Sequence, residues 1–329
     1  MENRILFDGP VFLVGRPRSG TKLLRELLNR HPKISIPFWE SNFIPYLSGR
    51  ALSFGNLRNF QNFEDFFSFF SKVEFFRMIK KENKYTHIVD DKVWYGAIKE
   101  YSYAGAIEAF YMLYAKCDGK SMWGDKSPHY MLYTPYLKNQ FPKSKYIHII
   151  RDIRDNCLSN MKAWNKNPYR SAQLWVNDIA CFRRDAKLYL KGDYLEVKYE
   201  DLLSDPDLEL MRVCNYLGIK YDPCMLLLDV PVENLGAAKG KTEIVKGNAG
   251  KWVNWMDKSM VKEIETIGYD LMQEIGYPVR YAVHQKSMSK YKFRILRYSD
   301  AWNRLLFDCA SQGGWLRGLT YQYKKRTKG

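Results

Sequence analysis

The residues best suited to chemistry lie in one short stretch, GRPRSGTK, which occupies residues 15–22. It combines two glycines with three cationic side chains, namely Gly15, Arg16, Arg18, Gly20 and Lys22. Glycine lets the backbone come close to a ligand, and backbone N–H groups at the start of a helix bind phosphate or sulfate. The stretch therefore predicts a loop that binds an anionic group, and a nucleotide 5′-phosphate is the first candidate.

The sequence around this loop predicts the elements that must hold it. Residues 11–14 form an apolar run typical of a buried strand, and leucines recur at helical spacing after the loop until Pro32 ends the helix. A strand, a loop and a helix in this order predict an α/β fold with a parallel sheet and helices on both faces. Further strands are predicted at 145–150 and 195–199, and helices within 55–85, at 97–116, after Asp205 and at 257–275.

The order of two residues in the stretch argues against one kind of nucleotide site. P-loop enzymes that bind nucleoside triphosphates have Lys followed by Ser or Thr after the second glycine, whereas here Thr21 precedes Lys22. They also place a Mg²⁺-binding Asp at the end of a later strand. Here the strand at 145–150 is followed by Arg151 and only then by Asp152. Both differences count against a nucleotide or small-molecule kinase, which is kept as an alternative function.

The net charge of +16 is concentrated near the C-terminus. Residues 280–329 contain twelve Lys or Arg and two Asp, which gives them +10 of the total. We therefore expect a domain at 1–279 and a basic, helical extension at 280–329. The extension suits an anionic membrane surface, with nucleic acid the less favoured partner, or it is a solubilising tail on a packed helix. A non-enzymatic basic protein that binds membrane or nucleic acid is the second alternative function.

The cysteines and the apolar residues bear on where the protein works. No two of the six cysteines have the spacing of metal ligands or of a disulfide framework, which indicates free thiols in a reducing compartment. No apolar run reaches the roughly 20 residues of a membrane span, and the N-terminus lacks the layout of a signal peptide. We therefore expect a cytoplasmic protein that can attach peripherally to a membrane through its basic extension.

Four motifs follow one another along residues 10–277, namely PRSGTKLL, HIIRDIRDNCLSN, VKYEDLLSDPDLELMRVCNYLGI and KGNAGKW. As a set they resemble the sulfotransferase family, whose members use 3′-phosphoadenosine 5′-phosphosulfate (PAPS). In that family the first motif binds the 5′-phosphosulfate and the second binds the 3′-phosphate. The resemblance implies a P-loop-like α/β sulfotransferase fold, with PAPS as co-substrate, adenosine 3′,5′-bisphosphate (PAP) as product and no metal.

The resemblance also assigns residues to the cofactor. Arg151 and Ser159 are expected at the 3′-phosphate, since a planar guanidinium suits phosphate oxygens. Arg154, in the same motif, suits a structural ion pair with Asp152 or Asp155. The residues expected to bind PAPS are Arg16, Arg18, Ser19, Gly20, Thr21, Lys22, Arg151, Ser159, Tyr199, Lys246, Gly247 and Lys251.

Sulfuryl transfer to a hydroxyl needs cations beside the leaving oxygen and a base beside the acceptor. Arg18 and Lys126 are the expected cations. Arg18 occupies a position of the loop where the tyrosylprotein branch, which the chain resembles, also has Arg. The segment WGDKSPHY around Lys126 is similar to a segment of the carbohydrate branches whose Lys contacts the sulfonate. Glu40 is the expected base, in a segment that resembles the one carrying the base in the carbohydrate and tyrosylprotein branches, and His129 is its rival. A surface lysine in a turn and a solvent-facing glutamate that opens a helix are the alternative interpretations.

The expected function is therefore in-line transfer of a sulfuryl group from PAPS to a hydroxyl, with a glutamate as general base. The segments around Glu40 and Lys126 resemble those of the carbohydrate and tyrosylprotein branches more than the cytosolic branch, and a carbohydrate or glycolipid is the expected acceptor. The Phe-rich residues 55–85 and the basic extension at 280–329 are the features that suit a lipid-linked acceptor at a membrane.

Overall fold

The computed structural model of the protein describes residue 7 and residues 9–229, 231–232, 239–311 and 320. Its strands are β1 (Val11–Gly15), β2 (Ile34–Ser35), β3 (Met122–Lys126), β4 (Lys145–Ile150) and β5 (Tyr194–Lys198). They form a five-stranded sheet in the order β2-β3-β1-β4-β5. Strand β1 pairs in parallel with β3 and β4, and β2 pairs in parallel with β3. The predicted α/β class with a parallel sheet is confirmed.

Helices connect the strands, and several begin or end where the sequence predicts. Asp205 accepts a hydrogen bond from the N–H of Leu208 at the start of one helix, and Gly218 and Gly276 end two helices in the left-handed conformation. The helices are α1 (Thr21–Arg30), α2 (Ser48–Leu52), α3 (Phe60–Phe70), α4 (Glu74–Lys81), α5 (Asp91–Ala97), α6 (Tyr103–Cys117), α7 (Thr134–Gln140), α8 (Ile153–Trp164), α9 (Pro168–Asp185), α10 (Tyr199–Ser204), α11 (Pro206–Leu217), α12 (Trp252–Trp255), α13 (Lys258–Ile275) and α14 (Lys290–Ser311).

The central strands are covered on both faces. All residues of β1 and β3 are buried, as expected for parallel strands between layers of helices. In the register of the sheet, Leu13 lies beside Lys126 and Val14 lies beside His148. The carboxyl ends of parallel strands meet at one edge of a sheet, which is where α/β proteins bind ligands. The loop after β1 and the residue that ends β3 therefore lie at the same edge.

Gly15, the last residue of β1, has no room for a side chain. A Cβ at this position would lie 2.5 Å from the carbonyl oxygen of Ile149 in β4. Gly15→Ala is therefore expected to lower the free energy of unfolding by about 1–3 kcal/mol, measured by urea denaturation. Gly49→Ala is the matched control, because the space around a Cβ is open there. Gly49 lies in helix α2, so alanine should leave the free energy of unfolding unchanged or raise it by up to about 1 kcal/mol. Equal effects of the two substitutions would contradict the prediction.

The Phe-rich residues 55–85 form helices, as predicted, and much of their aromatic surface belongs to the core. Phe63, Phe66, Phe70 and Phe76 are fully buried. The rings of Phe66 and Phe70 stack with their centroids 4.2 Å apart, and Trp94 packs edge-on against Phe66 at 5.7 Å. These buried side chains stabilise the fold and are not a surface that would receive a lipid-linked acceptor.

Some elements differ from those that the sequence predicts. Strand β3 is not predicted, because its sequence MWGDK ends in two charged residues, and β2 has only two residues. The helix predicted at 97–116 begins at Tyr103, where Ser102 accepts a hydrogen bond from the N–H of Gly105 and caps it. The preceding residues form the separate helix α5, which ends at Ala97.

The described residues divide into two compact units. The first lies within Met1–Ile149, Phe182–Val197 and Asp205–Val230, and the second lies within Ile150–Cys181, Lys198–Ser204 and Pro231–Gly329. The division of the chain at residue 280 stays a prediction. Helix α14 lies in the predicted extension, and residues 312–319 and 321–329 of that extension are outside the described residues.

Three further observations bear on the expectations from composition. The six cysteines, all of them among the described residues, form no disulfide with one another. Among the helices that the structure describes, none has both the length and the apolarity that a membrane span requires. In the same part of the chain, His, Cys, Asp and Glu side chains form no group of three or more that could hold a metal ion.

Candidate active site

The loop between β1 and α1 has the backbone geometry of an anion site. Arg18 and Gly20 both adopt the left-handed conformation, with φ of 70° and 97°. The N–H of Ser19 donates to the carbonyl of Arg16 at 3.1 Å, which closes the turn. Among the described residues, α1 begins at Thr21 with neither a side-chain cap nor an acidic residue in its first turn. The positive end of the helix dipole is therefore not neutralised, and it favours an anion.

The side chains of this loop divide into a buried and a partly exposed set. Arg16, Ser19 and Thr21 are buried, with Ser19 exposed by only 1%. Arg18 and Lys22 are half-buried, so their charges stay within reach of a ligand. The loop thus offers a fixed backbone and two accessible cations.

A buried ion pair lies at the same edge of the sheet. Lys126 ends β3 with 1% of its side chain exposed, and its Nζ donates to Glu40 Oε1 at 2.5 Å. Glu40 follows β2 with 35% of its side chain exposed, and Asn42 Nδ2 donates to its other oxygen at 3.3 Å. The interpretation of Lys126 as a surface residue is wrong because it is buried. Glu40 does not open a helix either, since α2 begins only at Ser48.

Burial and nearby cations set the protonation of this pair. Burial is the largest single effect and raises the pKa of Glu40. The charge and hydrogen bond of Lys126, the hydrogen bond from Asn42 and the charge of Lys22 together outweigh burial, so the pKa is lowered. Burial lowers the pKa of Lys126, as do Arg25 and Lys22, against the opposing effect of Glu40. Glu40 is therefore ionised at neutral pH, and Lys22, Glu40 and Lys126 form one electrostatic cluster.

Two sets of contacts hold the segment that carries Glu40. Arg25 of α1 donates through Nη1 to the carbonyl of Phe38 at 2.5 Å, and its guanidinium lies 4.6 Å from the centroid of that ring. Ser41 Oγ is 2.6 Å from the hydroxyl of Tyr130, which also accepts a backbone N–H. The chain is therefore held on both sides of Glu40, at Phe38 by Arg25 and at Ser41 by Tyr130.

Arg151 follows β4 and is held by residues of the second unit. Its Nη2 donates to the carbonyl of Asn248 at 2.6 Å, and its guanidinium lies 4.6 Å from the centroid of the Tyr199 ring. Asn248 Nδ2 donates in turn to the Tyr199 hydroxyl at 2.7 Å. Trp175 Nε1 donates to the carbonyl of Arg151 at 2.9 Å. These contacts fix the plane of the guanidinium, which is what recognition of a phosphate requires.

The KGNAGKW loop contacts the same residues in this unit. Lys246–Asn248 forms one helical turn, and Lys251 Nζ donates to the Asn248 side chain at 2.6 Å. Asp155 of α8 accepts the N–H of Gly250 at 2.6 Å, which anchors the loop. Burial lowers the pKa of Lys251, and the positive charge of Arg151 lowers it further. Arg151 and Lys251 are therefore two cations in one place, an arrangement that a bound anion stabilises.

Ser159 and Arg154 both lie on α8. Ser159 is half-buried in the second turn of the helix. Arg154 is buried and pairs with Asp152 Oδ2 at 2.5 Å and with Glu265 Oε1 at 2.6 Å. The predicted structural pair of Arg154 with Asp152 is confirmed, and Glu265 is a second partner that the sequence does not suggest.

The structure brings together only some of the predicted catalytic residues and adds others. His129, the rival base, is exposed on the short helix Pro128–Leu132. Sequence reasoning misses Arg25, Tyr130 and Asn248, which position Glu40 and Arg151. Arg25 carries a signal, because it is an arginine on the leucine-rich face of α1. Asn248 lies within the KGNAGKW motif, but nothing in the sequence indicates its contact with Arg151, which is 97 residues away.

These features define an α/β protein in which a loop with the backbone geometry of an anion site lies at the carboxyl edge of a parallel sheet, with a Lys–Glu pair beside it. The sequence model of the sulfotransferase family matches residues 10–223, which is more than half of the chain. The protein therefore belongs to the sulfotransferase family, and the resemblance carried by its motifs is confirmed.

Two curated relatives are similar at low identity. The chain is 25% identical over 300 residues to nodulation protein NoeE of Sinorhizobium fredii (strain NBRC 101917 / NGR234), covering 81% of this chain and 65% of the relative. It is 23% identical over 284 residues to protein-tyrosine sulfotransferase A of Caenorhabditis elegans, covering 81% of this chain and 67% of the relative. The chain thus spans about two thirds of the length of each.

A solved structure supports the fold. The sulfotransferase domain from the curacin biosynthetic pathway superposes with a TM-score of 0.56 at 19% identity, over 84% of this chain and 100% of that chain. Together with the strand order, this likeness establishes the α/β sulfotransferase fold that the sequence predicts.

Proposed function

We propose that the protein is a PAPS-dependent sulfotransferase that moves a sulfuryl group to a hydroxyl of an acceptor. The observation that carries the proposal is the Lys126–Glu40 pair beside the anion-binding loop of a family member. In the reaction the acceptor oxygen bonds to sulfur while the bond from sulfur to the 5′-phosphate oxygen breaks. The acceptor proton passes to Glu40, and PAP leaves with the electron pair of the broken bond.

The two ends of PAPS are assigned to the two cationic clusters. The first-unit loop suits the 5′-phosphosulfate, because it offers backbone N–H groups, an uncapped helix start and the charges of Arg18 and Lys22. In the second unit, Arg151 and Lys251 suit the 3′-phosphate, with Ser159 as a further donor. The remaining predicted ligands, Arg16, Ser19, Gly20, Thr21, Tyr199, Lys246 and Gly247, belong to the same two clusters by sequence position.

Lys126 and Glu40 have distinct roles in this proposal. The Lys126 ammonium is held at the end of β3 and stabilises negative charge that develops on the transferred group and the leaving oxygen. Glu40 is ionised and only partly buried, so its carboxylate can accept a proton from a hydroxyl that approaches from solvent. The short contact between them keeps both side chains in place before the acceptor arrives.

For the acceptor we propose a carbohydrate or glycolipid hydroxyl, on the likeness of the segment around Lys126 to that of the carbohydrate branches. The tyrosyl hydroxyl of a protein is the second candidate, and the similarity to protein-tyrosine sulfotransferase A supports it. Transfer of radiolabelled sulfuryl from PAPS to an oligosaccharide, a glycolipid and a tyrosine-containing peptide would distinguish the three. The cytoplasmic location stays a prediction from the sequence.

Thermal unfolding with added nucleotide tests the cofactor. PAP at a hundredfold excess over its dissociation constant is expected to stabilise the protein by about 2.7 kcal/mol, because it binds only the folded state. ATP with Mg²⁺ should give a smaller shift. Stabilisation by ATP–Mg²⁺ and none by PAP would overturn the proposal in favour of a kinase. Binding of PAP without transfer to any acceptor class would favour a non-enzymatic protein.

A further inference from the structure

Helix α14 packs on the second unit through one face. Asp300, 9% exposed, accepts hydrogen bonds from the Arg170 guanidinium and from the backbone N–H of Asn167, both at 2.7 Å. Lys292 Nζ pairs with Glu263 of α13 at 2.5 Å. These contacts fix the orientation of α14 in its unit, so the opposite face of the helix is also defined.

That opposite face carries large apolar side chains in contact with solvent. Tyr291, Ile295, Tyr298, Trp302 and Leu306 follow one another at intervals of four, three, four and four residues, which places them on one stripe of the helix. Their exposed fractions are 77%, 48%, 71%, 57% and 39%. Apolar stripes of helices normally face the core, so exposure of a stripe this long indicates a docking surface.

The charge beside the stripe identifies the kind of partner. Lys290, Arg294, Arg297 and Arg304 are all exposed, and at 100° per residue they lie along one flank of the stripe. The 22 residues of α14 contain five Lys or Arg and two Asp. A helix of about 33 Å with an aromatic stripe and a basic flank has the composition of helices that lie in a membrane interface.

We propose that α14 docks the protein on an anionic lipid surface, with the stripe in the headgroup region and the basic flank against lipid phosphates and carboxylates. Tyr and Trp suit this depth, because their rings are apolar at one end and polar at the other. A nucleic acid would engage the basic flank and leave the stripe in water. A second copy of the chain would cover the stripe but would bring the same positive charge towards it.

Co-sedimentation of the full chain with vesicles tests the proposal. Binding to vesicles of phosphatidylcholine and phosphatidylserine is expected to be at least about tenfold stronger than binding to phosphatidylcholine alone, and high salt should weaken it. The double substitution Arg294→Glu and Arg297→Glu should lower binding to anionic vesicles by about tenfold or more. Arg77→Glu with Lys80→Glu is the matched control, because it changes the net charge equally at exposed positions of α4 and should leave binding unchanged.

The stripe has its own pair of variants. Ile295→Ser with Tyr298→Ser should lower vesicle binding several-fold, whereas Leu188→Ser with Tyr189→Ser, which removes an exposed aliphatic and an exposed aromatic side chain elsewhere, should not. Failure of the wild type to bind anionic vesicles would overturn the proposal. So would equal effects of test and control variants, or a dimer in sedimentation velocity that only the stripe variant dissociates. Stabilisation by PAP should persist in every variant, which separates this outcome from the cofactor assignment.

Discussion

Glu40→Gln is expected to lower kcat for sulfuryl transfer by about 10²–10⁴-fold, because the variant loses the carboxylate that accepts the acceptor proton. Lys126→Met is expected to lower it by about 10²–10³-fold through loss of a buried cation beside the transferred group. PAP should still stabilise both variants. Glu74→Gln and Lys33→Met are the matched controls at exposed positions and should keep wild-type rates.

A double-mutant cycle tests whether Lys126 and Glu40 act on the reaction rate as one unit or independently. Lys126 Nζ and Glu40 Oε1 are 2.5 Å apart, so each side chain positions the other. The double variant should therefore be about as slow as the slower single variant, since residues that act as a unit are not additive in their effects on rate. Fully additive losses would show that the contact has no role in the reaction.

The pH dependence of kcat/KM distinguishes Glu40 from His129 as the base. The pKa of Glu40 is lowered by Lys126 against the effect of burial. The carboxylate therefore stays ionised until the pH falls below the ordinary range of a glutamate, and the acid limb of the profile should lie there. In Lys126→Met burial is no longer opposed by that ammonium, so the limb should move to higher pH. A limb near about pH 6.5 that is unchanged in Lys126→Met would instead indicate a histidine base.

The parts of the site that the sequence predicts are those with local signals. The loop is visible because glycines, cations and the strand–helix boundary occur within a few residues of one another. The ends of α11 and α13 are predictable because glycine readily adopts the left-handed conformation that ends a helix, and Gly218 and Gly276 both adopt it. Motif likeness identifies Lys126 and Glu40 as candidates, but it does not indicate that they form a buried pair.

The rest depends on contacts between residues far apart in the chain. Strand β3 becomes a strand because it pairs with β1 and β2, although two of its five residues are charged. Periodicity predicts the apolar face of α13 but not that Glu265 is buried within it, because its partner Arg154 is 111 residues away. Lys126 and Glu40 meet across 86 residues for the same reason. Burial of a charged side chain becomes predictable only when its partner is known.

Arg151→Ala is expected to weaken PAP binding by at least about 10–100-fold, measured by isothermal titration calorimetry. Hydrogen bonds to charged groups contribute about 1.5–3 kcal/mol each, and a guanidinium that faces phosphate can make two of them. The contact of Arg151 with the Asn248 carbonyl and its stacking on Tyr199 hold it in one plane, so little freedom is lost on binding. Arg151→Lys should give an intermediate loss, because it keeps the charge and loses the planar donor pair.

A comparison of PAP with AMP tests whether Arg151 recognises the 3′-phosphate or only supports the fold around it. AMP has the same base, sugar and 5′-phosphate as PAP but no 3′-phosphate, so its affinity should change little in Arg151→Ala. A selective loss for PAP therefore assigns the residue to the 3′-phosphate. Equal losses for both nucleotides, with a lower melting temperature of the free protein, would mean that the substitution disrupts the contacts with Tyr199 and Asn248. Lys262→Ala, an exposed cation of the same unit, should leave both affinities unchanged.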